Sequence, residues 1–154
     1  MIELSFSLPE PGSSWSGTWE GARQGDPADL AEVDLCYKYF GVNVEMLVGG
    51  VEVISRQGFV TLVDLALSFS HAEGRISAGG DAAFNFTESD EVIYLRRDGE
   101  LIALTSSKRS WRVAVEREEL TSAFSRFRRE AHSCLTSEIP GLVVNPVIRR
   151  ILSI

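Results

Sequence analysis

The chain is poor in the residues that do chemistry. Its 154 residues include two histidines, two cysteines, two methionines and five prolines. Cysteines at 36 and 134 lack the close pairing that zinc sites use. Cys36 falls in an expected strand and Cys134 on the buried face of an expected helix, so both read as reduced, small apolar fillers. A disulfide between them requires that strand and helix to touch. No apolar run approaches the roughly 20 residues that cross a bilayer. Met1 to Phe6 has neither the basic start nor the apolar stretch of a signal peptide. A cytoplasmic location is expected, with no membrane partner.

Bases are scarce where acids are common. The formal charge is −7, and residues 1–64 hold ten acids against three bases, Arg23, Lys38 and Arg56. Residues 65–154 balance at twelve of each. Nucleic-acid binding needs a basic footprint and is not expected. An acidic surface instead suits solubility or attraction to a basic protein. Thirteen of the fifteen bases are arginine, a bias that points to a high-GC, bacterial genome.

The length suits one domain, 1–154, with enough chain to bury a core. Ile2–Leu8 reads as a strand. Residues 9–29, rich in Pro, Gly and Ser, read as an irregular segment carrying Trp15 and Trp19. Alternation over 31–40 predicts a strand. Val42–Val48 and Val51–Ile54 flank Gly49-Gly50, a type I′ hairpin signal that pairs Val48 with Val51 and Met46 with Val53. Thr61 to Asp64 resembles a capping box, opening a helix over 61–73 with Gly74 after its end. Strands follow at 82–87, at 91–97 and 100–106 around Asp98-Gly99, and at 111–116. The Asp98-Gly99 turn implies Arg97 opposite Glu100 and Leu95 opposite Ile102. The next helix opens at Glu118 and Glu119 and buries Leu120, Phe124, Phe127, Ala131, Cys134 and Leu135, with Arg126, Arg128, Arg129 and Glu130 on its solvent side. Asn145-Pro146 caps a short last helix. Consecutive hairpins make the fold class α+β: a mostly antiparallel, curled sheet of about 7–8 strands on one long and one or two short helices.

Candidate chemistry is thin. His71 ends a helix and His132 borders a buried stripe, so both have structural roles. His71 and Glu73 offer two metal ligands without a third. Ser106, Ser107, Ser110 and Lys108 sit in a polar turn with no nucleophile-elbow pattern. Gly79-Gly80 lacks the lysine of a phosphate loop, and the acids at 88, 90 and 91 lack the spacing of a calcium loop. No cofactor or metal is implied.

The stretch Phe84-Asn85-Phe86-Thr87-Glu88-Ser89, with Tyr94-Leu95-Arg96-Arg97, Thr105-Ser106-Ser107 and the ending Asn145-Pro146-Val147-Ile148-Arg149-Arg150, resembles small proteins of high-GC bacteria with no assigned activity, over residues 80–152. That resemblance implies a bacterial origin and no mechanism. The leading expectation is a non-catalytic protein-binding domain, in its sharpest form an immunity protein that neutralises a basic bacterial toxin. Trp15, Trp19, Glu20, Asp26, Asp29 and Glu32 are the expected partner contacts. One alternative is a small-molecule or regulatory domain lined by Tyr37, Tyr39, Phe84, Phe86 and Trp111. Another is an enzyme built on His132 and a carboxylate. A homodimer across the edge strand Ile2–Leu8 stays open.

Overall fold

The computed structural model describes residues 1–55, 58–86 and 89–153. The α+β class and the antiparallel pairing stand, and the eight strands divide into two four-stranded sheets. Sheet A comprises β1 (Ile2–Ser7), β2 (Gly41–Val48), β3 (Val51–Ile54) and β4 (Phe59–Thr61); β3 and β4 share one side of β2. Sheet B is the meander of β5 (Ala82–Asn85), β6 (Val92–Asp98), β7 (Leu101–Ser106) and β8 (Arg112–Glu116).

Helices α3 (Leu62–Ser77) and α4 (Arg117–Glu138) pack against each other, with α3 on β5 and α4 on β1. Phe69 is the hub of the core. Its ring stacks on Phe124 at 4.5 Å and meets Phe84 and Phe127 edge-on. Phe127 in turn meets Phe6 of β1. Alternation in β1 and β2 explains why only one face of sheet A joins this core: Ile2, Leu4, Val42, Val44, Met46 and Val48 point in, and their neighbours point out.

Both hairpins differ from expectation in an informative way. Gly49 and Gly50 both have positive φ, as a type I′ turn requires, and Val48 pairs with Val51. Met46 then pairs with Ile54, because Val53 is an extra residue in a β-bulge. In the second hairpin Asp98 pairs with Leu101, so the loop is Gly99-Glu100, with positive φ at Gly99 only. That is the pattern of a type II′ turn. Leu95 therefore faces Leu104 rather than Ile102. A slip of two residues keeps every side chain on its face, so the apolar pattern fits either register.

Three local expectations are corrected. Residues 32–37 form helix α2, not a strand. Its acids Glu32 and Asp34 lie in the first turn, where they favour the helix dipole, and the adjacent pair Leu35 and Cys36 is buried. The irregular segment contains helix α1 (Ser16–Ala22), and residues 27–29 form a short 3₁₀ turn. Helix α3 runs through Gly74 to Ser77 and closes on Gly79. There Gly80 N–H donates to Arg75 O and Gly79 N–H to Ile76 O, the Schellman arrangement. Thr61 has the extended backbone of an N-cap, but its side chain makes no capping bond.

Helix α4 carries the expected stripe, although Cys134 is only half-buried and Arg128 lies inside rather than in solvent. The last helix, α5 (Pro146–Arg150), is capped as expected by Asn145, whose side chain accepts from Val147 N and Ile148 N. Cys36 and Cys134 are both free thiols. No helix among the described residues is long and apolar enough to cross a membrane.

Candidate functional site

The outer face of sheet A follows from strand parity. Glu3, Leu47 and Glu52 form one cross-strand row, Ser5 and Glu45 the next, and Ser7, Asn43 and Phe59 the third. Strands β1 to β4 contain three acids and no base. Among the described residues the Glu3 and Glu52 carboxylates have no ion-pair partner. Among the described residues of these strands the charged side chains are all acidic.

An aromatic pair closes one end of it. Trp15 stacks on Phe59 with centroids 4.9 Å apart and planes within 10°. Gly41 makes this possible. Its parity places a side chain on the outer face, where a Cβ would come within 2.3 Å of Trp15 Cε3. Thr18 Oγ1 accepts from Gly41 N–H, tying α1 to the same point. Trp15 remains half-buried and is part of the face.

The other expected contacts separate. Trp19 is only 4% exposed; it meets Phe40 edge-on and its indole N–H donates to Gly41 O at 2.9 Å. Trp19 is therefore core: one turn of α1 past Trp15 and on the same helical face, it reaches deeper, to Phe40 and the Gly41 carbonyl. Glu20 is exposed and pairs with Arg23, which also reaches Glu138. Asp26 accepts from Ala28 N–H and so caps the 3₁₀ turn. Asp29 is exposed in that turn, and Glu32 pairs with Arg150. The structure brings these four acids to helix and turn ends, not to the sheet face that holds Trp15.

A cleft of about 420 Å³ opens where sheet A meets sheet B. Val53, Ile54, Phe59, Val60 and Phe86 wall it, together with Glu52, Glu91 and Arg109. Arg109 spans the seam. Its Nε donates to Glu91 Oε2 at 2.8 Å, and its two terminal nitrogens donate to Glu52 O and Val53 O at 2.7 and 2.6 Å. The bulge at Val53 explains the fork. Successive strand carbonyls normally point to opposite sides, and an extra residue lets two of them face one guanidinium. Ser106 donates to the same Glu91 oxygen, and its Oγ accepts from Lys108 and Arg109 N–H. This serine organises a turn, as its sequence context suggests. Beside it, the Lys108 ammonium holds the Asp90 carboxyl below the usual range. Sequence reasoning passed over Arg109; nothing local distinguishes it from the other twelve arginines.

The five aromatics of the small-molecule reading do not converge. Tyr37 is exposed and Tyr39 packs against Gly21. Phe84 is in the core, Trp111 lies beneath Arg109, and of the five only Phe86 lines the cleft. Neither histidine bonds a carboxylate among the described residues. No group of three His, Cys, Asp or Glu that could hold a metal occurs among them. Comparison with protein-family models, curated proteins and solved structures found no match.

Proposed function

We propose that this chain is a non-catalytic protein-binding domain whose acidic sheet face receives a basic partner, in its sharpest form an immunity protein covering a bacterial toxin. The observation that carries the reading is the outer face of β1 to β4, whose strands contain three acids and no base, ending in the half-buried Trp15 on Phe59. A single-signed surface speeds encounter with an opposite charge, and a rigid aromatic at its margin supplies desolvated contact area. The acids Glu20 and Glu32, paired within the chain, contribute less to such a field.

The test uses the product of the gene beside this one, where that product carries a basic toxic domain. Mixed at low salt, the two form a complex whose association rate falls steeply with ionic strength. The Glu3→Lys, Glu45→Lys double variant, folded by circular dichroism, associates at least about tenfold more slowly. No complex, or a rate indifferent to both salt and charge reversal, rejects the proposal.

A further inference from the structure

We propose that the cleft between the sheets is a socket for one arginine side chain of the basic partner. The inference rests on reading the acidic sheet face as a protein-binding surface. Glu52 belongs to both, since it stands in the first row of that face and lines the cleft.

The lining selects the occupant. Among the described residues its charged groups are the Glu52 and Glu91 carboxylates and the Arg109 guanidinium. Arg109 is already engaged through all three of its nitrogens. The described contacts of Glu91 all fall on Oε2, which leaves Oε1 as an acceptor on a side chain only 16% exposed. An anion entering the cleft meets two carboxylates among the described lining residues, beside a guanidinium that is already paired. An apolar side chain covers Oε1 without offering it a donor, and a covered carboxylate oxygen without a partner is costly.

A cationic side chain with an apolar stem satisfies both demands, its methylenes on Ile54 and Val60 and its charge at the carboxylates. Guanidinium fits better than ammonium. It is weakly hydrated and stacks on rings, and Phe59 and Phe86 supply two. Trp15 covers one side of Phe59 and fixes that ring in place. A volume of about 420 Å³ lies in the range of side-chain and small-ligand pockets.

The experiment titrates the full isotope-labelled chain with acetyl-arginine N-methylamide and follows its amide spectrum. The expected result is saturable shifts concentrated at Val53, Phe59, Val60 and Phe86 and at the Arg109 side-chain N–H. The norleucine and glutamate analogues bind at least about tenfold more weakly, and Glu52→Gln weakens the arginine analogue several-fold. Shifts of equal size with all three analogues, shifts scattered over sheet A, or indifference to Glu52→Gln overturn the socket. The two readings fail separately. Glu3→Lys with Glu45→Lys leaves the arginine titration within about twofold of wild type while slowing the partner. If the arginine analogue does not bind but the partner is still slowed, the socket is wrong and the face stands. The converse result removes the face alone.

Discussion

Arg128 and Glu73 give the sharpest test of the packing. Their side chains are 5% and 9% exposed, and Arg128 donates to Glu73 Oε1 through Nη2 at 2.9 Å and through Nε at 3.3 Å. Its Nη1 donates to Ile151 O at 2.8 Å, so one guanidinium joins α3, α4 and the end of α5. Arg128→Met keeps the stem and removes the charge. The carboxyl left behind escapes its burial penalty by taking up a proton, which at pH 7 costs a glutamate about 3–4 kcal/mol. The abandoned Ile151 carbonyl adds about 1 kcal/mol. The expected loss is therefore about 4–5 kcal/mol at pH 7, within the range for breaking a buried pair. Its pH dependence identifies the cause. In the variant the folded state holds that proton to higher pH than the unfolded state does. The deficit is then small near pH 4 and grows as pH rises toward 7. Glu73→Gln behaves differently, because the stranded guanidinium cannot shed its charge. It loses about 3–5 kcal/mol at pH 7. Replacing both, Arg128→Met with Glu73→Leu, comes within about 2 kcal/mol of wild type. Urea unfolding at pH 4.5, 5.5 and 7 measures all three. A deficit for Arg128→Met that is flat with pH, or below about 1 kcal/mol at pH 7, refutes the argument.

Two further perturbations probe the elements around the site. Gly41→Ala drives a methyl into Trp15, costs about 1–3 kcal/mol and moves Trp15 off Phe59; unchanged stability together with an unchanged tryptophan emission maximum contradicts the close approach. Cys36 titrates late: burial first, then Asp64 and Glu32, push its thiol up to about 11. The folded chain keeps that proton from about pH 9 to 11 while the unfolded chain loses it, so stability falls across this window by on the order of 2 kcal/mol. Cys36→Ala abolishes that part of the fall. Disulfide-exchange labelling of Cys36 at pH 8 is at least about a hundredfold slower in the native than in the unfolded chain, and rapid native labelling is the opposing result.

What was legible in the sequence depended on how many residues carried the signal. The stripe of α4 spans several turns, and a period-3.6 pattern of that length has no strand alternative. Residues 32–37 are too few to separate the two periods, and Val33, Leu35 and Tyr37 alternate by accident: Val33 and Tyr37 are exposed and Leu35 is buried. Arg128 was legible in principle. It stands four residues after Phe124 and three before Ala131, on the buried row, and Glu73 stands four after Phe69. Two opposite charges on two apolar stripes announce a buried pair, once charge alone is not taken as a mark of solvent. Trp15 and Trp19 share a segment, a residue type and, four residues apart, a helical face; only the way α1 docks on sheet A leaves one half-buried on Phe59 and seats the other in the core. The cleft was not legible, because it is made by a bulge at Val53 and an arginine 56 residues further along.

The two open sheet faces also bear on self-association. The outer face of sheet B mixes charge signs: Arg112 pairs with Asp98 at 2.6 Å, and the Arg96 guanidinium lies 4.5 Å from the Tyr94 ring centre. The strands of sheet A contain acids and no base. A two-fold dimer across that face would set the patch of Glu3, Glu45 and Glu52 against the same patch of the second subunit. Like charges brought together cost several kcal/mol and weaken as salt screens them. The acidic face is therefore suited to a different chain and unsuited to its own. The expected outcome in sedimentation is that lowering salt from about 0.3 M to 0.02 M produces no dimer through this face, while Glu3→Lys with Glu45→Lys, which mixes the signs, self-associates more readily than wild type. A wild-type dimer that strengthens at low salt and is lost in that variant would mean that the face pairs with itself, and the case for a basic partner would fall.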